Sequence, residues 1–321
     1  MTLPTSVSAA IERVLDEAGS SGRISEVVPV AGGCINNGAR LQMSNGDDFF
    51  LKWRTPTPGS ETLGMFGAES EGLDSLAAAA LASQADTDPP RVLVPAPVAH
   101  RDDPVGPSWL LMEYVESSAT SEEGESLLGL GLAAVHGSTH GTTSFGWNRD
   151  NWIGSLPQAN PPSRSWASFW RDARILPQLE RAYAYGHLLS SSIGPAASRS
   201  LEHLVDLVPA ALADVTRPEL LHGDLWSGNA YTGPGGVPVL IDPAVYRGDG
   251  EVDLAMTELF GGFGPTLYEA YAEVRPISDA YVSHRRDLYQ LYYLLVHVNL
   301  FGGSYVNSTL RAAASVVAAL R

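Results

Sequence analysis

The stretch LLHGDLWSGNAY, residues 220–231, constrains the fold of this chain more than any other part of its sequence. It places His222, Asp224 and Asn229 within eight residues, between apolar flanks and interrupted by two glycines. Asp and Asn are common turn formers and helix caps, so either residue alone indicates only a turn. Asp242 ends a second apolar run, VPVLID, across a predicted hairpin. Together, these residues predict a site where carboxylate and amide oxygens converge.

The chain before this stretch predicts a small part built on an antiparallel sheet. Residues 24–54 contain strand-like runs, and SNGD joins two of them with an Asn-Gly pair that favours a hairpin. An amphipathic helix over 5–18 precedes this sheet. A second helix, with Leu73 and Leu76 at helical spacing, follows it and leads into two further strands.

Helical patterns dominate the rest of the chain. They cover about 123–138, 165–189, 198–213, 250–260, 265–274, 279–300 and 308–320. We therefore predict an α+β chain with two lobes. The N-terminal lobe spans 1–115, and the C-terminal lobe spans 116–321.

Charge and composition narrow the function classes. The formal net charge of -16 disfavours nucleic acid and anionic membranes as partners, because their phosphates would be repelled. One cysteine excludes a disulfide within the chain. The N-terminus does not resemble a signal peptide, and no apolar run approaches the ~20 residues that span a bilayer. We expect a cytoplasmic protein.

Asp224 and Asn229 have the D-x4-N spacing of the kinase catalytic loop. In that loop, the Asp accepts the proton of the substrate hydroxyl and the Asn binds magnesium. Asp242 adds a carboxylate, a ligand type that Mg²⁺ prefers. We predict Asp224 as the catalytic base, and Asn229 and Asp242 as the Mg²⁺ ligands.

Two features of the predicted sheet suit a triphosphate. Gly32 and Gly33 lie in a turn between strands, where backbone N–H groups can approach phosphate oxygens. Lys52 lies in the apolar run FFLKWR and needs a partner, either a phosphate or a carboxylate such as Glu69 or Glu71. Taken singly, the glycines suit an ordinary hairpin and the lysine an edge strand. With the predicted magnesium site, they predict ATP in a cleft between the lobes. Residues 1–115 would then form the nucleotide-binding lobe, and residues 116–321 the catalytic and substrate-binding lobe.

The segments LLHGDLWSGN and IDPAVYRGDGEVDLAMTELFGGF closely resemble the fructosamine kinase (ketoamine 3-kinase) family. The more distant aminoglycoside phosphotransferases and choline kinases share the H-G-D-x4-N core but do not usually carry Leu-Trp-Ser-Gly inside it. GGCINNGAR, MFGAESEGLDSL and DLYQLYYLLVHVNLFGGSY also resemble family segments, so the resemblance covers roughly residues 24–320. It implies a protein-kinase-like fold with a small antiparallel-sheet lobe and a larger α-helical lobe.

The resemblance also implies an activity. The family phosphorylates the sugar 3-hydroxyl of ketoamines, which are fructosamine or ribulosamine adducts on small molecules or glycated proteins. The phosphorylated adduct decomposes and frees the amine, so the expected role is deglycation and protein repair. The resemblance points to Glu69 as the partner of Lys52, and to Cys34 as part of the glycine loop. The purine contacts would come from three residues at the lobe junction, Glu113, Tyr114 and Val115.

Five further residues have more than one interpretation. Trp226 is a candidate substrate residue, since its face suits a sugar ring or a cation, with packing as the alternative. His222 is a second candidate on the substrate side, with bracing of the loop as the alternative. Cys34 corresponds to a cysteine that some relatives use in redox-dependent dimerisation, so we expect either a monomer or a dimer through Cys34. His136 and His140 have H-x3-H spacing, but no third metal ligand is evident.

Two other functions compete with the ketoamine kinase. One is a kinase for another hydroxyl, of the aminoglycoside or choline type, which an acidic chain could suit. The other is a nucleotide-binding redox sensor without catalytic activity. The presence of Lys52, Asp224, Asn229 and Asp242 argues against the sensor, because inactive kinase homologues usually lose at least one of these groups.

Overall fold

The computed structural model describes residues 3–20, 22–30, 36–55, 62–83, 91–138 and 143–321. The predicted glycine turn with Gly32, Gly33 and Cys34 lies outside the described residues, and so does His140.

The first part of the chain forms one antiparallel sheet. Its strands are β1 (Ile24–Pro29), β2 (Asn37–Met43), β3 (Asp48–Arg54), β4 (Pro97–Arg101) and β5 (Ser108–Glu113). They are ordered β1-β2-β3-β5-β4. The SNGD hairpin forms as predicted, with Gln42 opposite Asp48 and with Gly46 at a φ of 93°.

One helix packs on each face of this sheet. Helix α1 (Thr5–Glu17) packs Ile11 and Leu15 against an apolar cluster that includes Leu51. Helix α2 (Met65–Ser83) covers the other face, where its apolar side chains meet Leu110 and Met112 of β5. Side chains alternate along a strand, and Lys52 is paired with Leu110. Lys52 therefore points toward α2.

The second part of the chain is mainly helical. Its α-helices are α3 (Glu122–Gly137), α4 (Trp166–Trp170), α5 (Leu176–Ala184), α6 (Ser190–Ile193), α7 (Pro195–Ala211), α8 (Glu251–Leu259), α9 (Pro265–Val274), α10 (Arg286–Phe301) and α11 (Val306–Ala319). A π-helical turn, Arg171–Ile175, joins α4 to α5, and a second, Tyr281–Arg285, leads into α10. The predicted helices agree with these bounds to within a few residues, except that the one predicted over 165–189 ends at Ala184.

Three short strand pairs position loops in the helical part. They are β6 (Asn151–Ile153) with β7 (Leu156–Gln158), β8 (Glu219–Leu221) with β11 (Tyr246–Gly248), and β9 (Ala230–Thr232) with β10 (Pro238–Leu240). The pair β8–β11 brackets the stretch from His222 to Val245. The pair β9–β10 is the hairpin expected between Asn229 and Asp242.

The chain passes from sheet to helices between β5 and α3. Helix α3 begins at a clear cap, since Ser121 Oγ accepts a hydrogen bond of 3.1 Å from the Gly124 N–H. Leu76 of α2 packs in the same apolar core as Leu128 and Leu132 of α3, so α2 contacts both parts of the protein. The α+β architecture is as predicted, and the division at residue 115 stays a prediction. Within the described ranges, no helix is both long and apolar enough to cross a membrane.

Candidate active site

A cavity of about 780 Å³ lies between the sheet and the helical part. Most of the described candidate residues line it, namely Lys52, Glu69, Glu113, Tyr114, Val115, Asp224, Trp226, Asn229 and Asp242. The fold thus brings together groups that are far apart in the sequence. His222 is the exception, because its side chain is fully buried and does not line the cavity.

Lys52 is held between two carboxylates. Its Nζ lies 2.5 Å from Glu69 Oε1 of α2 and also contacts Asp242 Oδ1. Burial lowers the pKa of Lys52, but the charges of Asp242 and Glu69 outweigh burial, so its pKa is raised and the ammonium stays charged at pH 7. The structure selects Glu69 rather than Glu71 as the carboxylate partner of Lys52.

The loop after β8 is a sequence of tight turns. Gly223 adopts a φ of 82°, and a Cβ at this position would lie 2.1 Å from the Ala244 carbonyl oxygen. No side chain fits there, which explains the glycine before Asp224. The Asn229 N–H then donates to the Trp226 carbonyl at 2.8 Å and closes the loop.

Asp224 and Asn229 are in direct contact. Asn229 Nδ2 donates to the Asp224 carbonyl oxygen at 2.8 Å and to Asp224 Oδ2 at 3.2 Å. Burial, and next the charge of Asp242, raise the pKa of Asp224 to about 7, although Asn229 and Lys52 offset part of this rise. The spacing D-x4-N therefore places a base-like carboxylate and an amide side by side.

Asp242 has a left-handed backbone, with a φ of 57°. This conformation is uncommon for a residue with a side chain, and such positions often occur at functional sites. Its neighbour Ile241 is fixed on both sides: the Ile241 N–H donates to the Asn229 carbonyl at 3.0 Å, and the Ile241 carbonyl accepts from His222 Nε2 at 2.9 Å.

His222 is a bracing residue of the loop. Its Nδ1 accepts from the Asp224 N–H at 3.2 Å, so the ring links the Asp224 loop to the segment that carries Asp242. Burial lowers the pKa of His222, which keeps the ring neutral near pH 7. The predicted substrate contact of His222 does not agree with this burial, and the alternative of a brace does.

Asp253 of α8 anchors the same loop, and the sequence reasoning missed it. Its Oδ2 accepts from the His222 N–H at 2.7 Å and its Oδ1 from the Gly223 N–H at 2.9 Å. His136 Nε2 adds a third hydrogen bond of 3.1 Å, while His136 Nδ1 contacts the Tyr271 hydroxyl at 2.9 Å. Burial would raise the pKa of Asp253, but His136 above all reverses this, so the pKa is lowered. His136 is thus a structural residue.

The two ends of the cavity differ in chemistry. One end is formed by the segment from Glu113 to Val115 with Phe50 and Ile241, and the Tyr231 hydroxyl fixes this segment by donating to the Val115 carbonyl at 2.9 Å. The other end has a chain of aromatic rings, Trp226, Phe260, His297, Phe301 and Tyr305, with centroids of successive rings 4.8–6.4 Å apart.

Apart from Trp226, sequence reasoning did not identify the aromatic end. The signal was the four-residue spacing of His297, Phe301 and Tyr305, which predicts side chains on one helix face. In the structure, His297 and Phe301 lie on α10, and Tyr305 joins them from the turn that follows Gly302. The same spacing describes an ordinary buried face, as holds for the preceding part of α10. Only the position of Phe260, contributed by the turn after α8, shows that these rings border a cavity.

The oxygen donors fit a hard cation such as Mg²⁺. Asn229 Nδ2 contacts Asp224, so the Asn229 amide oxygen would be the atom available to a cation, and Asp242 would add a carboxylate. Within the described ranges, no cluster of three or more His, Cys, Asp or Glu residues could hold a metal. Mg²⁺ is commonly bound by one or two carboxylates together with substrate phosphates and water, so Asn229 and Asp242 would be suitable protein ligands for it.

Comparison with known proteins identifies the family. A sequence model of the fructosamine kinase family matches residues 7–319. The chain belongs to the fructosamine kinase family. Within this family, a probable ketoamine kinase of Synechocystis sp. is 38% identical over 296 residues, which cover 92% of this chain and 91% of that protein.

Solved structures agree with this membership. The crystal structure of a candidate fructosamine-3-kinase from Thermobifida fusca is 32% identical and superposes with a TM-score of 0.80, covering 98% of this chain and all of that one. An aminoglycoside phosphotransferase matches with a TM-score of 0.58 at 15% identity, over 96% of this chain and 98% of that one. The second likeness shows the fold alone, and it confirms the predicted protein-kinase-like fold of this fructosamine kinase family member.

Proposed function

We propose that this protein is an ATP-dependent kinase that phosphorylates the sugar 3-hydroxyl of ketoamines. The observation that carries the proposal is the meeting of Lys52, Asp224, Asn229 and Asp242 at one cavity in a member of the fructosamine kinase family. Phosphoryl transfer needs positioning and neutralisation of charge more than covalent participation of the protein. This set provides both.

Each residue has a defined role in the proposed reaction. Asp224 accepts the proton of the 3-hydroxyl as the sugar oxygen attacks. Lys52, oriented by Glu69, holds the phosphates through its positive charge. Asn229 and Asp242 hold Mg²⁺ through their side-chain oxygens. Bound ATP would supply the phosphoryl group, whose bond to the ADP oxygen breaks as the bond to the sugar oxygen forms.

The two ends of the cavity accommodate the two substrates. The backbone of Glu113, Tyr114 and Val115 would bind the purine, since these residues line the cavity next to apolar side chains. Trp226 would contact the ketoamine, because its ring lines the cavity and lies beside the Phe260 ring. The phosphate contacts of Gly32 and Gly33 stay a prediction.

The biological role follows from the chemistry of the product. A 3-phosphorylated ketoamine decomposes and frees the amine, so the activity would reverse glycation of small molecules or proteins. A cytoplasmic location suits this role and stays a prediction. A dimer through Cys34 also stays a prediction, because neither the described residues nor the comparisons support it.

An ADP-release assay tests the proposed function. The purified protein is incubated with Mg²⁺, ATP and one acceptor at a time. The acceptors are ribuloselysine, fructoselysine, an aminoglycoside and choline. We expect ADP release with at least one ketoamine and only background release with the aminoglycoside and choline. Turnover of only the last two would replace the ketoamine proposal with the other kinase function. ATP binding without turnover of any acceptor would favour the sensor.

A further inference from the structure

Helix α2 carries two glutamates that contact different parts of the protein. Glu69 contacts Lys52 of the sheet. Glu71 instead accepts a hydrogen bond of 3.1 Å from Trp147 Nε1, and its Oε2 lies 3.6 Å from Arg149 Nη1. Successive helical residues are rotated by about 100°, so positions two apart leave the helix on different sides. Helix α2 is therefore tied to both parts of the protein.

Trp147 is itself fixed to the strands that carry the Asp224 loop. The residue before it, Gly146, exchanges two backbone hydrogen bonds of 2.9 Å with Arg247 of β11. Arg247 is paired with Leu220 of β8, and β8 leads directly into His222 and Asp224. The Arg247 guanidinium also lies 5.5 Å from the centre of the Trp147 ring. A short backbone route thus connects the Trp147 indole to the proposed base.

Close packing makes the position of α2 sensitive to this contact. A Cβ on Gly72 of α2 would lie 3.3 Å from Pro243 and from Val245, in the segment after Asp242. At the start of α2, Arg149 Nη2 donates to the Gly64 carbonyl at 3.4 Å. The Trp147–Glu71 hydrogen bond lies between the contacts at Gly64 and at Gly72. It therefore restrains the rotation of α2 about its axis and its shift along that axis.

We propose that Trp147 and Glu71 are positioning residues that align the Lys52–Glu69 pair with the Asp224 loop. Neither side chain lines the cavity, so they act through α2 and β11. Without the indole N–H, α2 keeps its packing but loses a directional contact, and Lys52 spends less time aligned with the proposed phosphate site. The inference rests on the proposed role of Lys52 in binding ATP.

Trp147→Phe tests this proposal, since it keeps an aromatic ring and removes the N–H donor. One hydrogen bond to a partly exposed carboxylate is worth about 1 kcal/mol, which corresponds to about a fivefold change in an equilibrium constant. We expect Mg-ATP, measured by calorimetry without acceptor, to bind about fivefold more weakly, and kcat to fall by a similar factor. The KM for the ketoamine should not change.

Two further variants sharpen the test. Glu71→Gln keeps a carbonyl acceptor for the indole N–H and loses only the charge that attracts Arg149, so its effect should be smaller than that of Trp147→Phe. Asp74→Asn is the matched control: it makes the same change in an exposed residue one turn along α2. It should leave Mg-ATP binding and kcat at wild-type values.

A double-mutant cycle separates positioning from general stability. In a Glu69→Gln background the pair is already weakened, so Trp147→Phe should weaken Mg-ATP binding less than twofold. A lower melting temperature with unchanged Mg-ATP binding and kcat would overturn the proposal, as would the same fivefold loss in both backgrounds. The wild type could bind Mg-ATP but phosphorylate no ketoamine. In that case the proposed substrate is wrong, and weaker Mg-ATP binding by Trp147→Phe would still support the positioning role. Absence of Mg-ATP binding by the wild type would overturn both proposals.

Discussion

Replacement of Asp253 by asparagine changes one buried atom from a hydrogen-bond acceptor to a donor. Asp253 is fully buried, and its two oxygens accept from the backbone N–H groups of His222 and Gly223. An asparagine keeps only one oxygen, so its NH₂ group must face one of these two donors. Both the proposed base and its loop depend on this anchor, which makes Asp253→Asn a direct test of how the site is held together.

The expected loss of stability can be worked from these contacts. A buried donor without an acceptor costs about 1–3 kcal/mol, and the remaining hydrogen bonds lose the strength that the carboxylate charge gave them. We therefore expect the free energy of unfolding to fall by about 3 kcal/mol. For 321 residues, an unfolding entropy of about 2.1 cal/mol/K per residue gives a shift of about 1.5 °C per kcal/mol, so the melting temperature should fall by about 4 °C.

The pH dependence gives a second observable. The pKa of Asp253 in the folded protein lies below its ordinary value of 3.8, mainly because His136 donates a hydrogen bond to it. The carboxylate therefore stabilises the fold fully above about pH 4, and this contribution is lost as the pH falls further. The difference in stability between the wild type and Asp253→Asn should be constant from pH 5 to pH 8 and should shrink below pH 4.

Differential scanning calorimetry and ADP release measure these effects together. We expect kcat to fall by about a hundredfold, as is typical when a catalytic group moves by about 1 Å. Asp206→Asn, in an exposed position of α7, is the control and should behave like the wild type. The reasoning is refuted if Asp253→Asn melts within 1 °C of the wild type at pH 7 and keeps its turnover.

Three other substitutions test individual parts of the site. Gly223→Ala should reduce turnover by about a hundredfold, because its Cβ would meet the Ala244 carbonyl oxygen. The control Gly303→Ala places its Cβ in open space and should not change turnover. Equal activities of the two variants would contradict this reasoning. Lys52→Met should weaken Mg-ATP binding about tenfold in calorimetry through loss of a charged contact, and unchanged affinity would mean that Lys52 does not bind phosphate. Trp226→Ala should raise the KM for a ketoamine about fivefold with little change in the KM for ATP, and an unchanged KM would limit Trp226 to packing.

The polar residues of the site could be predicted because most of them lie close together in the sequence. Asp224 and Asn229 lie in one loop, and Asp242 ends the next hairpin, so a short stretch of sequence contains most of the arrangement. Lys52 was predictable as a partner of α2 because a charged residue in an apolar strand needs a counter-charge. The choice between Glu69 and Glu71 depended on the rotation of α2, which periodicity alone left open and the structure shows.

The residues that hold the site in place could not be found in the same way. Asp253 lies 29 residues after Asp224 in helix α8, most of which is buried, and only the tertiary fold brings it under His222. His222 carries a typical catalytic side chain, yet the fold buries it and directs both ring nitrogens to the backbone. The π-helical turns Arg171–Ile175 and Tyr281–Arg285 interrupt two segments that the sequence predicted as continuous helices.

The central claim is that Asp224 activates the 3-hydroxyl of a ketoamine for phosphorylation by ATP. The most direct measurement uses fructoselysine or ribuloselysine with Mg-ATP, and identifies the product by phosphorus NMR and mass spectrometry for the wild type and for Asp224→Asn. We predict a phosphate on sugar oxygen 3 with the wild type. For Asp224→Asn, we predict a rate at least about a hundredfold lower with Mg-ATP affinity within about twofold of the wild type. A phosphate on another oxygen, or an Asp224→Asn variant that keeps its rate, would contradict the claim.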